Sequence, residues 1–444
     1  MTGIETPSQQ ARSLERAIGR CTSDEPGPTL IVVGGIHGNE PAGIAAAKRV
    51  CSRLEQGGGL TRGCFFAMRG NLTALAKDPE NPEKNLRYIE HDLNRMFTDS
   101  AEAQQANDSE TGPEFRERDE IRSAIAEAAA CARGEVYLLD LHTVSAASPP
   151  FITVADSLRA RAFATRFPLP ILLGVEEELP GLLMDDATRR HGIISITIEG
   201  GQHRDPRSVD TLEAVVLHAL RTLVMIESRD DADAFSVVRR ASQGRAGRVY
   251  DVRHLEPVRA TTFKIEPGLD AFARVRAGRT IIARQGEQDS PRDVLAAESG
   301  LLFMPNHQTD IRVGDDAFFI VHRVRWFWLV LSAWLRRRTH LHGLLPRVLP
   351  GVRRHPECAG TLIVTPEIAA ILRRQVFHLL GYRLVRFSAP PHAGWFSRIF
   401  GGVRTIAVAV RILLLNQQNA GHAGLPREGE WVVRRRWLDV EKTR

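Results

Sequence analysis

Short apolar runs alternate with runs of helical periodicity through the first half of the chain. Residues 30–33 are four consecutive apolar residues, Leu30, Ile31, Val32 and Val33, closed by glycines, and predict a buried strand. Over 41–54, Ile44, Ala47, Val50, Cys51 and Leu54 recur every three to four residues, which predicts an amphipathic helix. Residues 63–68, 135–141 and 193–198 predict further strands, and 209–227 a second amphipathic helix. The acid-rich stretch 104–118 reads as an exposed loop before a helix over 119–133. Continuous apolar strands separated by helices predict an α/β fold, a mainly parallel or mixed sheet covered by helices.

The pattern changes near residue 241. Short β-like runs at 260–265, 271–275, 280–283, 301–304 and 317–321 are separated by Pro-Gly and Gly-Arg turns, which predicts a small β-rich domain. From residue 324 the composition shifts to Arg, Trp and Leu, and a basic, α-rich extension is expected. Its apolar runs fall at 326–335 and 395–415, with a strand over 361–364 and a helix over 366–380 between them. The chain is therefore divided into 1–240, 241–323 and 324–444.

Composition narrows the class. With 43% hydrophobic and 25% charged residues the chain has the make-up of a globular protein, and disordered or disulfide-framework classes are excluded. No apolar run is long enough for a spanning helix. The first twenty residues carry no apolar signal core, and the five scattered cysteines never form a C-x-x-C pair. A cytoplasmic protein with reduced thiols is expected. Net charge is +6, but residues 324–444 hold 20 Lys+Arg against 6 Asp+Glu, so an acidic body carries a basic tail. A packed accessory module is the first reading of that tail, and peripheral contact with the anionic inner face of a membrane the second. Nucleic acid is set aside as a partner, because the arginines alternate with an apolar background and no recognition motif is present.

Candidate chemistry gathers at strand ends. The strand over 30–33 runs into Gly34-Gly35-Ile36-His37-Gly38-Asn39-Glu40, an H-x-x-E pair amid glycines; an ordinary loop histidine is the competing reading. A second strand ends in Asp140-Leu141-His142. Histidine and carboxylate ligands suit zinc, so His37, Glu40 and His142 form a candidate His₂Glu set with one open position, and Asp140, on the same strand face as His142, can orient a ligand histidine. A third strand ends in Glu199-Gly200-Gly201. Glu199 is either a proton acceptor in a metal hydrolase or a solvated turn residue. Arg87, Asn94 and Arg95 cluster in one segment and can recognise carboxylates or polarise a carbonyl, unless they merely pair with Glu90 and Asp92.

The segments GGIHGNEPAG, RYIEHDLNRMF, LLDLHTVS and ITIEGG, in this order, resemble the succinylglutamate desuccinylase/aspartoacylase family of zinc carboxypeptidase-like hydrolases. The resemblance covers about residues 25–323. It implies one Zn2+ per chain on His37, Glu40 and His142, with Glu199 as general base and acid. It further implies that Arg87 stabilises the oxyanion and that Asn94 and Arg95 hold a substrate carboxylate. The implied activity is cleavage of the amide bond of a small N-acyl amino acid. A metallocarboxypeptidase acting on a peptide or cell-wall fragment, and a non-catalytic binding protein on the same fold, are the alternatives. One departure is visible: near 305–309 there is no counterpart of the tyrosine with which aspartoacylases contact substrate.

Overall fold

The structure is a computed structural model that describes residues 14–78, 85–98, 112–227, 233–287, 290–308, 311–338, 345–347, 349, 351–356, 360–365, 377–385 and 431–435. These fall into two compact units, the first running to Val324 and the second comprising Asp156–Leu158 and the chain from Arg325. In the first unit the leading strands are β1 (Ala17–Thr22), β2 (Thr29–Gly34), β3 (Cys64–Arg69), β4 (Val136–Val144), β5 (Phe151–Val154), β6 (Ile171–Leu173), β7 (Ile194–Gln202) and β8 (Val249–Pro257). Then come β9 (Lys264–Ile265), β10 (Arg274–Val275), β11 (Ile281–Glu287), β12 (Ser290–Leu295), β13 (Gly300–Phe303) and β14 (Asp316–Val324). The helices that cover them are α1 (Ala42–Gln56), α2 (Pro113–Ala130), α3 (Leu183–His191) and α4 (Arg207–Thr222).

Eleven strands form one sheet in the order β1-β3-β2-β4-β7-β5-β6-β8-β14-β13-β10. Strands β3, β2, β4 and β7 are parallel neighbours, while β1, β5 and the β14 hairpin pair antiparallel, so the sheet is mixed. Every residue of β2 is buried, as its uninterrupted apolar sequence demands of a central strand covered on both faces. Ile31 and Val33 pack with Ile121 and Ile125 of α2 and with Leu183 and Ala187 of α3. Leu30 and Val32 point the other way and are equally buried on the side of α1, which packs on β2 and against α4. Residues 249–324 are β-rich: β8, β14, β13 and β10 extend the large sheet, and β9, β11 and β12 form a small sheet around Phe263, Ile282 and Phe318.

One expectation changes. The stretch 104–118 is not an exposed loop throughout. Residues 104–111 lie outside the described residues, but α2 begins at Pro113, with Glu114, Glu117 and Arg118 buried. Their polarity marks internal hydrogen bonding: Glu117 accepts from Thr73 N at 2.9 Å and from Thr73 Oγ1 at 2.7 Å. Among the described residues the tail holds helix α5 (Trp326–Arg336), helical residues at 345–347 and 377–379, and a four-stranded antiparallel sheet, β15 (Val352–Arg354), β16 (Thr361–Val364), β17 (Tyr382–Val385) and β18 (Trp431–Arg435), in the order β15-β16-β18-β17. The runs at 366–376 and 395–415 lie outside the described residues.

The second unit is organised around one buried acid. Asp156 receives the guanidinium groups of both Arg336, at 2.7 Å, and Arg383, and all three side chains are buried. Removing one partner of a buried ion cluster strands the others in a low-dielectric interior. Asp156→Ala is therefore expected to lower stability by about 3–5 kcal/mol, read as a shifted urea midpoint in tryptophan fluorescence. An unchanged midpoint would contradict this assignment.

Candidate functional site

The adjacent parallel strands β2, β4 and β7 deliver their carboxyl ends to one place, the position where open α/β sheets put their sites. Register sets Gly34 beside Leu141, and His142 beside Glu199. After β2 the chain turns through Gly35, whose φ of 77° disfavours any side chain, and brings His37 and Glu40 back over the strand ends. Gly38 has a different reason to be glycine. Its N–H donates to Arg87 O at 3.0 Å, and a Cβ there would stand 2.6 Å from Leu86 O. The H-x-x-E turn is thus fitted against the Arg87 segment.

At the centre is the Glu40 carboxylate, 2% exposed. Its Oε1 lies 2.9 Å from His37 Nδ1 and 3.3 Å from Arg87 Nη1. Its Oε2 lies 3.0 Å from His142 Nδ1 and accepts from Thr143 N at 2.9 Å. The far side of each imidazole also faces an acid. His37 Nε2 is 3.1 Å from Asp92 Oδ1, and His142 Nε2 is 3.0 Å from Asp140 Oδ2, though that pair is not aligned as a hydrogen bond. Asp140 therefore stands beside His142, on the side of the ring away from Glu40. A neutral imidazole has one N–H for two such contacts. A cation among the inward atoms would let the N–H groups point outward to the acids. One ring nitrogen of each histidine and one Glu40 oxygen lie within 4.8 Å of one another, so the set can hold a divalent cation.

Electrostatics follow this geometry. Burial alone would raise the Glu40 carboxyl, but His37 and His142 outweigh it and hold the group well below the usual carboxylate range. Burial would likewise depress His142, yet Asp140 and Glu40 bring it well above the ordinary imidazole value. Glu199 behaves differently. Burial, reinforced by the Glu40 and Asp140 charges against His142 and Arg87, pushes it up to about 8. Its Oε2 is buried with no hydrogen-bond partner.

The Arg87–Arg95 segment is an irregular loop ending in a 3-10 turn over Leu93–Arg95. Asp92 ties it together. Besides meeting His37, it accepts from Arg87 Nε at 3.1 Å and from Asn94 N at 2.9 Å. Arg87 and Arg95 do pair with acids, but not as helix-surface residues. Arg87 bridges Asp92 and Glu40, and Arg95 Nη2 donates to Asp316 Oδ2 of β14 at 2.6 Å. Asn94 is buried, with its side-chain oxygen accepting from Leu183 N at 2.9 Å. Glu114 holds the loop from beneath, accepting from Ile89 N at 2.7 Å, Glu90 N at 3.3 Å and His91 N at 3.4 Å.

His37, Glu40, Arg87, Asn94, Arg95, His142 and Glu199 all line one cavity of about 400 Å³, the scale of a small-molecule pocket. Asp140 lies behind it. The β-rich segment contributes Met304, Pro305, Asn306, Gln308, Asp315 and Asp316 to the rim. Sequence reasoning missed Asp316, Glu114 and His203, and named Asp92 only as a pairing partner of the arginines. His203 lines the cavity, with Nδ1 2.7 Å from Thr143 Oγ1. Burial lowers its pKa, which favours the neutral ring. The tyrosine on the wall is Tyr88, from the Arg87 segment, with the Arg312 guanidinium 4.9 Å from its ring centre.

Fold and site define a mixed α/β protein with a buried His-Glu-His cluster lining a pocket at the strand ends. Residues 26–225 match the model of the succinylglutamate desuccinylase/aspartoacylase catalytic domain. That match spans less than half of the chain and supports, over those residues, the resemblance to this family of hydrolytic deacylases. No curated protein matches the chain. Among solved structures it is similar to a succinylglutamate desuccinylase/aspartoacylase from Rhodobacter sphaeroides, with 19% identity, TM-score 0.48, and 68% of this chain and 87% of that one covered. It is similar also to the succinylglutamate desuccinylase from Chromobacterium violaceum, with 16% identity, TM-score 0.48 and coverage of 72% and 99%. An ectoine utilization protein from Ruegeria pomeroyi shares 18% identity at TM-score 0.48, with coverage of 67% and 86%.

The raised Glu199 carboxyl has a measurable consequence. Its folded value, about 8, exceeds the ordinary 4.5, so its contribution to stability is fully present below pH 4.5 and is lost as pH rises through 8. In chelator-treated protein, wild type should therefore lose stability relative to Glu199→Gln across that window, measured as the difference in thermal midpoint. A pH-independent difference would contradict the burial-raised carboxyl.

Proposed function

We propose that the chain is a zinc-dependent deacylase that cleaves the amide bond of a small N-acyl amino acid or related carboxylate-bearing substrate. The observation that carries this reading is the pairing, in one cavity, of the His37–Glu40–His142 cluster with a buried Glu199 oxygen that has no partner. A metallocarboxypeptidase is the second reading, and a cavity of about 400 Å³, the scale of a small-molecule pocket, favours the first. Residues 1–240 and 241–323 would act as catalytic and rim-forming parts of one enzyme.

His37, Glu40 and His142 would hold zinc, two imidazoles and a carboxylate being a donor set that metal favours. Zinc held there would supply a Lewis acid beside the scissile carbonyl. The remaining work falls to side chains. Glu199 accepts a proton from the attacking water and returns it to the leaving nitrogen, a role for which a carboxyl near neutrality is suited. Arg87 reaches the cavity with its guanidinium anchored by Asp92 and Glu40, so its charge is fixed in place before an oxyanion develops. Asp92 and Asp140 orient the two histidines from behind. Asn94 and Arg95 would hold the substrate carboxylate.

The Arg95 assignment has a condition attached. Arg95 is already paired with Asp316 at 2.6 Å, and a substrate carboxylate must share or displace that acid. Asp316→Asn should then lower KM for anionic substrates by roughly 2–5-fold, the scale of a partly exposed ion pair, with kcat little changed. An unchanged KM would remove Arg95 as the carboxylate anchor.

The function itself is tested by incubating the zinc-loaded protein with N-acetyl, N-succinyl and longer N-acyl amino acids and measuring free amine. Glu199→Gln keeps the side chain's size while deleting the base, so kcat should fall by at least ~10²-fold with folding intact. Absence of amine release across the series, or near-normal turnover in Glu199→Gln, would contradict the mechanism.

A further inference from the structure

Helix α5 has its polarity reversed. The side turned into its own unit presents Ser332 and Arg336, 3% and 0% exposed, with Leu335 the partly buried apolar contact beside them, whereas Trp326, Phe327, Trp328, Val330 and Trp334 are 49–68% exposed. At 3.6 residues per turn, Trp326, Val330, Trp334 and Arg337 fall on one stripe with Phe327 beside it. A helix that only packed in a water-surrounded module would show the opposite arrangement.

The orientation is fixed by satisfied polar contacts. Ser332 Oγ donates to Leu379 O at 2.9 Å. Arg336 donates to the carbonyls of Asp156 and His378, each at 2.8 Å, and to the Asp156 carboxylate at 2.7 Å. Rolling the helix to hide its aromatic side would abandon a buried ion cluster, which is far costlier than leaving rings in water. The aromatic face is thus held outward.

Charge identifies what it meets. The helix contains no acidic residue; Arg325 precedes it, Arg337 and Arg338 follow it, and the Arg338 guanidinium stacks 3.9 Å from the Trp334 ring centre. The chain from residue 324 carries 20 basic residues against 6 acidic ones. Aromatic rings beside arginines match the boundary between lipid headgroups and acyl chains, where each basic residue adds attraction to an anionic leaflet. Eleven residues rise about 16 Å, and among the described residues no helix is long and apolar enough to cross a membrane. We infer that α5 is an interfacial anchor that lays its Trp326–Phe327–Val330–Trp334 face on an anionic lipid surface.

Flotation of the full chain tests this with two kinds of vesicle, phosphatidylcholine alone and phosphatidylcholine mixed with phosphatidylglycerol. The chain should float with the anionic vesicles and release at high salt. Trp326→Ser/Phe327→Ser/Trp334→Ser, with an unchanged circular dichroism spectrum, should bind at least ~10-fold more weakly, a loss of about 1.4 kcal/mol or more. Should that variant misfold, quenching of wild-type tryptophan emission by bromine-labelled anionic lipid supplies the second reading, and its absence would overturn the inference. So would wild-type protein that ignores anionic vesicles, a folded variant that floats as well as wild type, or sedimentation showing that the face instead joins two copies of the chain.

Discussion

Burial of the Glu40 carboxylate is the constraint around which the first unit is arranged. A carboxylate removed from water is tolerated only when charges and donors replace its hydration. Here His37, His142, Arg87 and the Thr143 amide do so from three separate segments. Those segments must therefore converge, which requires β2 and β4 to be neighbours and the turn after β2 to be tight. Each compensating group is supported in turn: Asp92 stands behind His37 and Arg87, Asp140 behind His142, and Glu114 beneath the loop that carries Asp92. The result is a shell of alternating charge in which Glu199 alone presents a buried oxygen without a partner to the cavity. An acid so placed is costly unless it serves the chemistry of the pocket.

Much of this was legible in the sequence because the informative residues sit at the ends of uninterrupted apolar strands. Leu30–Val33 had to be a central strand, and glycines after such a strand signal a turn with room for a ligand. The same logic located His142 and Glu199, and β4–β7 pairing sets them side by side. Less legible were contacts made across long separations. Asp92 meets His37 from 55 residues away, and Asp316 meets Arg95 from 221, with no local pattern announcing either. Glu114 was hidden by composition, since an acid-rich stretch looks solvated unless its carboxylates are known to accept buried amides.

The two units solve opposite problems with the same device. In the first, a buried acid gathers cations to shape a pocket. In the second, Asp156 gathers Arg336 and Arg383 and so fixes the rotation of α5. Buried ion clusters contribute little net stability compared with apolar packing, but they define one arrangement sharply, because every alternative leaves a charge unpaired. Positional definition is what a reactive centre requires, and an outward aromatic face requires it equally.

The central claim is that two imidazoles and Glu40 form a cation site of the first unit. Its most direct test is metal analysis of protein purified without chelators, beside calorimetric titration of zinc into chelator-treated protein. The account predicts about one zinc per chain, bound with proton release and abolished in His142→Ala while the fold is retained. Folded wild-type protein that neither contains nor binds zinc, or His142→Ala that binds it with undiminished affinity, would contradict it.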